Sequence, residues 1–207
     1  MRMEFITWFF SVTTLTIFCS ITIPVHSQCL EDQKSLLLQL KNSLQFDPDS
    51  SVKLVNWAGT NDCCQWNGVT CDHFGRVIGL DLNTESISGG LNDSSDLFGL
   101  KFLEKLNFAN NSFNFAEIPS SFGVLTNLKY LNLSDTQFVG QIPMEFSRLT
   151  RLVKLDLSSH DVFNSYGIRI DNPNLFTLFR YLGGLTELYL DGVNISATGR
   201  SHGGDKI

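Results

Sequence analysis

Leucine recurs in a pattern that repeats about every 25 residues through most of the chain. The segments that begin at Leu100, Leu125 and Leu149 align without gaps, and each reads L-x-x-L-x-x-L-x-L/F. A weaker copy precedes them at residues 75–89, and another follows at residues 182–196. The first leucines of the L-x-L pairs are Leu80, Leu106, Leu131, Leu155 and Leu188. Successive copies are therefore 26, 25, 24 and 33 residues apart.

Each L-x-L segment predicts a short strand with one buried face. Alternation places the two leucines on one side of the strand and the residue between them on the other side. One strand cannot bury such a face alone, whereas stacked copies form a parallel sheet over a continuous core. This period is typical of leucine-rich repeats. We predict an α/β leucine-rich-repeat solenoid, in which a disulfide-stapled helical cap precedes about five repeats that form a parallel sheet.

A polar residue five positions after the strand leucine falls inside each coil. Asn111 holds this position in one copy, where its amide can both donate to and accept from backbone groups of the turn. Thr136 and His160 hold it in the next two copies and are weaker members of the same ladder. Ile-Pro pairs at 118–119 and 142–143 exclude a regular helix, so the convex side should be extended or 3₁₀.

The segment before the repeats predicts an amphipathic helix. Four leucines form its apolar stripe: Leu36, Leu37, Leu40 and Leu44. Glu31 lies in the first turn, where it complements the helix dipole, and Asp47-Pro48 is expected to end the helix. Trp57 and Trp66 form either a carbohydrate platform or the core of a cap, and the neighbouring cysteines favour the core.

The N-terminus predicts a secretory signal peptide over residues 1–27. The stretch from Phe5 to Ile23 is uncharged, Pro24 interrupts it, and Val25-His26-Ser27 offers a small-residue cleavage site. An uncleaved membrane anchor is the alternative, and we expect no membrane span in the mature chain.

Cleavage of the signal peptide would remove Cys19. Secretion would place the other four cysteines in an oxidising compartment, which favours disulfides over a zinc site. They are Cys29, Cys63, Cys64 and Cys71. A bond between the adjacent Cys63 and Cys64 needs a strained ring. Two arrangements remain: Cys29–Cys63 with Cys64–Cys71, or the crossed pairing.

The longer separation between the last two copies predicts an insertion near residues 160–182. Asn172 and Pro173 suit the cap and the first position of a helix, and Gly183-Gly184 suits its end. Apolar residues between them recur at helical spacing. We predict a helix on the convex face whose aromatic residues belong to the core.

Two longer motifs resemble a known family. GQIPMEFSRLTRLVKLDLS, from Gly140, resembles the plant-specific leucine-rich repeat, and CLEDQKSLLLQLKNSL with LVNWAGTNDCCQWNGVTCD resembles the cap of plant receptor-like proteins and receptor kinases. With ISGGL, NPNL and LYLDGVNIS, the resemblance is nearest to the Verticillium wilt resistance group of receptor-like proteins. It implies an extracellular ectodomain, on the outer face of the plasma membrane in full-length relatives, that perceives ligands in defence. The implied partners are a protein or peptide ligand and a co-receptor kinase.

Charge and catalytic residue types narrow the function further. A net charge of −6 disfavours nucleic acids and anionic lipids as partners. Asp156 and Ser158 are expected to face outward and His160 inward, so these hydrolase-type residues should not converge. We therefore predict a protein that is not an enzyme and that uses no metal or cofactor.

The outward strand positions predict a ligand surface, and Asn-x-Ser sequons predict N-glycans. The surface residues are Ile78, Asp81, Asn83, Glu104, Lys105, Asn107, Lys129, Tyr130, Asn132, Val153, Lys154, Asp156, Thr186, Glu187, Tyr189 and Asp191. The sequons are Asn92, Asn110, Asn132 and Asn194. Because Asn132 is itself an outward strand residue, a glycan on it would cover part of the sheet.

These features divide the chain into a signal peptide (1–27), a cap (28–72), about five repeats (73–196) and a disordered tail (197–207). The predicted function is ligand recognition by the N-terminal ectodomain of a truncated receptor-like protein in pathogen perception. Leu188 and Leu190 would end the solenoid on an open edge, which predicts self-association. One alternative is a secreted inhibitor of microbial wall-degrading enzymes, similar to polygalacturonase-inhibiting proteins. Such inhibitors usually carry a C-terminal disulfide cap, and this sequence has no cysteine after Cys71, which counts against the alternative. The other is a non-functional truncation product.

Overall fold

The computed structural model describes residues 28–160, 167–171 and 175–195. The predicted signal peptide, the tail and the residues predicted to begin the insertion helix lie outside these ranges. The α-helices are α1 (Glu31–Ser43) and α2 (Leu175–Phe179). The strands are β1 (Gln45–Phe46), β2 (Val69–Cys71), β3 (Val77–Asp81), β4 (Ile87–Gly89), β5 (Lys105–Asn107), β6 (Tyr130–Asn132), β7 (Gly140–Gln141), β8 (Lys154–Asp156), β9 (Ile168–Ile170), β10 (Glu187–Tyr189) and β11 (Asn194–Ile195). Short 3₁₀ helices span Leu54–Asn56, Cys63–Gln65, Asp96–Gly99, Ser120–Val124 and Met144–Arg148.

The repeats form the main sheet, whose strand order is β10-β8-β6-β5-β3-β2. Five of its strands are parallel, and β2 from the cap joins β3 in the antiparallel direction. The strand leucines pair in one row, from Leu80 beside Leu106 to Leu155 beside Leu188. The side chains of this row are buried up to Leu155, and Leu188 on β10, the edge strand of the main sheet, is partly exposed. The predicted leucine-rich-repeat solenoid is confirmed.

The convex side is built from short 3₁₀ helices and from a second parallel sheet with the order β11-β9-β7. The 3₁₀ helices Ser120–Val124 and Met144–Arg148 follow the two Ile-Pro pairs, which confirms the predicted absence of a regular helix there. The insertion contributes β9, which the sequence pattern does not predict.

The prediction that the aromatic residues of the insertion helix belong to the core is wrong for Phe176, which is 76% exposed. The helix buries Leu178 and, just beyond its end, Leu182, which are four positions apart and therefore share a face. Phe176 lies two positions before Leu178 and cannot share that face, whereas Phe179 packs partly buried against the core.

The cap packs around α1 and two tryptophans. Trp57 and Trp66 are 2% and 5% exposed, and their ring centroids lie 5.3 Å apart in a stacked arrangement. They form the cap core, so the carbohydrate-platform alternative is wrong. Helix α1 ends at Ser43 rather than at Asp47-Pro48, because β1 follows at once and pairs antiparallel with β4.

Two disulfides staple the cap, and they resolve the pairing that the sequence leaves open. Cys29 pairs with Cys63 and Cys64 with Cys71, each with a Cα–Cα distance of 5.5 Å. The second bridge joins a 3₁₀ helix of the cap to β2 and so anchors the antiparallel edge of the main sheet.

A ladder of buried polar side chains runs inside the coils, as expected from Asn111. Its Oδ1 accepts from the backbone N–H groups of Glu85 and Ile87 at 3.1 and 3.0 Å. Its Nδ2 donates to the carbonyls of Leu82 and Phe108, both at 2.8 Å. One amide therefore satisfies four backbone groups on two successive coils.

The other ladder positions differ in how well they fit the interior. Thr136 is buried and donates to the carbonyl of Leu133 at 2.7 Å. The inward prediction for His160 is wrong, since its side chain is 82% exposed. The carboxylate of Asp135 accepts from the backbone N–H of His160 and contacts its ring Nδ1, both at 2.8 Å, and thereby holds His160 outside the coil.

The sequence pattern does not single out Glu85, which occupies the same ladder position in the first coil and is fully buried. Its carboxylate accepts from the hydroxyl of Ser51 and from the backbone N–H groups of Lys53 and Leu54. Because Lys53 and Leu54 begin a 3₁₀ helix of the cap, Glu85 binds the cap to the first repeat.

Candidate ligand-binding groove

Two rows of outward side chains cross the main sheet. The first row consists of the residues that precede the strand leucines: Gly79, Lys105, Tyr130, Lys154 and Glu187. The second row consists of the residues that follow those leucines: Asp81, Asn107, Asn132, Asp156 and Tyr189. Parallel register places neighbours in each row on adjacent strands, about 4.8 Å apart.

A groove of about 350 Å³ lies over the N-terminal half of these rows. Its walls include Thr70, Lys105 and Tyr130, and its floor contains strand leucines. Gly79 contributes to the hollow, because a Cβ at this position would lie only 3.0 Å from the Cβ of Thr70. The antiparallel strand from the cap and the missing side chain of Gly79 together shape this end of the groove.

The second row is held rigidly by hydrogen bonds to the backbone. The side-chain oxygen of each Asp or Asn accepts from the N–H two residues ahead, at 3.2 Å for Asp81, 3.0 Å for Asn107, 2.9 Å for Asn132 and 3.0 Å for Asp156. Such local turns are characteristic of Asp and Asn at the end of a strand. The repeated Asp or Asn at the centre of L-x-L is the signal that could have predicted them.

Most of the charges around the groove are paired across strands. Glu104 contacts Lys129 at 2.8 Å, and Lys154 contacts Glu187 at 2.9 Å. The hydrogen bond from Lys154 lowers the pKa of Glu187, and Glu187 in turn raises the pKa of Lys154. Both groups therefore remain charged at physiological pH.

Lys105 differs from these residues. Its ammonium lies 5.3 Å from the centre of the Tyr130 ring, and no carboxylate pairs with it in the described part of the chain. Exposed cation–π contacts of this kind contribute about 0.5–1 kcal/mol, so the ammonium remains available to a charged partner.

Comparison with known proteins identifies the family of this solenoid. The profile of the "Leucine rich repeat N-terminal domain" matches residues 30–72, and that of the "Leucine Rich Repeat" matches residues 102–125 and 127–149. Receptor-like protein 7 of Arabidopsis thaliana is 43% identical over 173 residues, which cover 82% of this chain and 17% of that protein. The chain belongs to the leucine-rich-repeat receptor-like proteins of plants.

This receptor-like chain spans about a fifth of the length of the curated relatives that it matches. Among solved structures, the BIR2 ectodomain from Arabidopsis thaliana is similar, with a TM-score of 0.65, 25% identity and coverage of 81% of this chain and 83% of that one. The plant peptide hormone receptor RGFR1 in complex with RGF2 has a TM-score of 0.50 and 29% identity, and the match covers 64% of this chain and 18% of that one. Neither described helix has the length and hydrophobicity that crossing a bilayer requires.

The receptor-like fold places the predicted ligand surface on one face of the sheet, and every predicted surface residue is at least partly exposed. The groove brings together Asp81, Lys105, Asn107, Tyr130, Asn132 and Lys154. The other predicted residues lie outside it: Ile78, Asn83, Glu104, Lys129, Val153, Asp156, Thr186, Glu187, Tyr189 and Asp191. Sequence reasoning misses the contributions of Thr70 and Gly79. These residues meet because β2, which belongs to the cap, pairs with β3. That this surface binds a ligand stays a prediction.

The four predicted glycosylation sites differ in their surroundings. Asn92, Asn110 and Asn194 are exposed, whereas Asn132 is half-buried in the groove. Attachment of glycans to these residues stays a prediction, and at Asn132 a glycan would occupy the space of a ligand.

The hydrolase-type residues do not form a relay. Ser158 is buried rather than outward, and its hydroxyl donates to Asp156 at 2.6 Å. His160 is exposed rather than inward and contacts Asp135 instead. The expectation that these residues do not converge is therefore wrong for Asp156 and Ser158, which share a hydrogen bond, whereas His160 contacts a different carboxylate.

Proposed function

We propose that the chain is the N-terminal ligand-recognition part of a plant receptor-like protein in pathogen perception and defence signalling. The groove over β3, β5 and β6 carries this proposal, since it combines a rigid polar row with an exposed aromatic ring. In the proposed assembly, the ectodomain binds a protein or peptide and acts together with a co-receptor kinase.

The dimensions of the groove suit a peptide. A volume of about 350 Å³ lies at the lower end of the range of small-ligand sites. It can accept one or two side chains of an extended peptide that crosses the strands. Tyr130, at 39% exposure, supplies the kind of aromatic anchor that dominates many interfaces. The peptide hormone receptor among the similar structures supports this choice of ligand class.

The cap supports an extracellular location. Two disulfides persist in oxidising compartments, and sequons at exposed positions fit passage through the secretory pathway. The defence role rests on the resemblance of the cap and repeat motifs to receptor-like proteins.

A peptide-display selection on the full secreted chain tests the proposal. We expect the selection to enrich peptides whose affinity falls about tenfold or more in Tyr130→Ala, because the variant loses the aromatic wall of the groove. Tyr181→Ala is the matched control, since Tyr181 is exposed beyond α2 and away from the groove. Failure to enrich any peptide, or peptides that respond only to Tyr181→Ala, would contradict the proposed function.

A further inference from the structure

The second row of outward side chains has two amides at its centre and a carboxylate at each end. Along the second row the order is Asp81, Asn107, Asn132 and Asp156. The oxygens of the two central amides accept from the backbone N–H groups of Ala109 and Ser134, which fixes the orientation of both amides. In addition, no described residue accepts a hydrogen bond from the Nδ2 group of either amide. Two adjacent N–H₂ groups thus face the groove from neighbouring strands.

Lys105 adds a positive charge to these donors. It lies two positions before Asn107 on β5, on the same face of the sheet, and it lines the same groove. Its ammonium rests over the Tyr130 ring rather than against a carboxylate. The groove therefore has a cationic centre in a chain whose net charge is −6.

We propose that Lys105, Asn107 and Asn132 form a binding site for a carboxylate group of a peptide ligand. This inference rests on the proposed function and names the chemistry that the groove selects. The two oxygens of one carboxylate can accept from both amides while the Lys105 ammonium balances the charge. Asp156 repels an anion at one end of the row. Asp81 at the other end is already paired with Lys53 at 3.5 Å and offers no donor, so the two central strands are the favoured position for the carboxylate.

The site also gives Asn132 two competing roles. The nitrogen that would donate to the carboxylate is the atom to which an N-glycan is attached at a sequon. Ser134→Ala removes the sequon and retains the Asn132 amide and its backbone partner, because that partner is the N–H of residue 134. This variant of the full chain is therefore the form in which to test carboxylate binding.

NMR titration of the asparagine side-chain amides in Ser134→Ala measures the site directly. The probes are acetyl-Gly-Asp-Gly-amide, acetyl-Gly-Gly-Gly with a free C-terminus, and acetyl-Gly-Asn-Gly-amide as the uncharged control. We expect saturable shifts of the Asn107 and Asn132 amides with at least one charged probe and none with the control. The charged probe that binds more tightly shows whether the site takes an acidic side chain or a peptide C-terminus.

Two further variants test the assigned roles. Lys105→Met, which keeps an unbranched side chain, should weaken binding about tenfold. Asn107→Asp should abolish it, because it replaces a donor by a negative charge. It should also preserve the turn, since Asp81 and Asp156 make the same backbone hydrogen bond in this row.

Absence of saturable shifts with both charged probes, equal shifts with the uncharged probe, or unchanged binding in Lys105→Met would overturn the proposed site. The peptide-display selection fails or succeeds separately. If the chain binds a charged tripeptide but the selection enriches no library peptide, the carboxylate site is supported and the proposed receptor function is refuted. If the selection enriches peptides that depend on Tyr130 but the titration gives no amide shifts, only the carboxylate site is refuted.

Discussion

Replacing the buried Asn111 by alanine tests the internal ladder of the solenoid. The substitution leaves four buried backbone groups without their partner: the N–H groups of Glu85 and Ile87 and the carbonyls of Leu82 and Phe108. Each buried polar group that loses its hydrogen bond costs roughly 1–3 kcal/mol, and relaxation of the coil recovers part of the total. We expect a loss of about 3–5 kcal/mol in the free energy of unfolding.

The turn around Glu85 explains why relaxation should recover only part of this loss. Thr84 and Ser86 have φ values of 56° and 54°, in the left-handed region that non-glycine residues rarely adopt. The oxygen of Asn111 accepts from the N–H groups of Glu85 and Ile87 and so holds this turn in place. Without that oxygen, the turn retains its strain and loses its support.

Urea unfolding of the secreted chain with intact disulfides measures the effect, because the buried Trp57 and Trp66 report loss of the cap by fluorescence. Asn61→Ala is the control, since Asn61 is exposed and the change should stay within about 0.5 kcal/mol. Thr136→Val, which removes a single buried hydrogen bond, should cost about 1 kcal/mol. Equal midpoints for Asn111→Ala and Asn61→Ala would refute the ladder. If Asn111→Ala lowers the free energy of unfolding no more than Thr136→Val does, the Asn111 amide stabilises the fold only as much as a single hydrogen bond.

Two further outcomes follow from the surface of the chain. The hydrogen bond to Asp135 raises the pKa of His160 above its ordinary value of 6.5, so the pair stabilises the fold below that pH and loses its effect as the pH rises through the raised pKa. NMR titration of His160 should show this rise and its loss in Asp135→Asn; an identical pKa in both forms would rule out the contact. Treatment with peptide-N-glycosidase should lower the mass of the secreted chain, and the drop should be smaller for Ser134→Ala if Asn132 carries a glycan. A mass that the enzyme leaves unchanged would show that none of the sequons is occupied.

The sequence predicts the main sheet well because the physical constraint is local and repeated. A side-chain period of two residues buries both leucines of L-x-L only when the copies stack in one register. Leu106, Leu131 and Leu155 consequently lie side by side, as the spacing requires. The Ile-Pro pairs exclude a helix through their own backbone geometry, so the convex side is equally predictable.

Element ends are less predictable, because they depend on contacts between distant segments. Helix α1 ends before any helix-breaking residue, since β1 finds its hydrogen-bond partner in β4. His160 occupies the ladder position in the sequence, but Asp135 on the preceding coil binds it on the protein surface. Neither Asp135 nor β4 lies near enough in sequence to enter a local pattern.

The candidate site is predictable in part for the same reason. Alternation identifies the outward residues of β5 and β6, including Lys105 and Tyr130. The shape of the groove depends on Thr70 and Gly79, which meet only because the cap adds an antiparallel strand. The sequence therefore predicts which face is available for binding, and the cap determines where on that face the hollow lies.

Hydrogen–deuterium exchange of the full secreted chain, with and without a peptide from the display selection, tests the central claim that the outward face of the sheet binds the ligand. We expect added protection in Lys105–Asn107 and Tyr130–Asn132, which line the groove. The convex 3₁₀ helices Ser120–Val124 and Met144–Arg148 should exchange at unchanged rates. Protection of those two convex segments, with none in the two strands, would contradict the account.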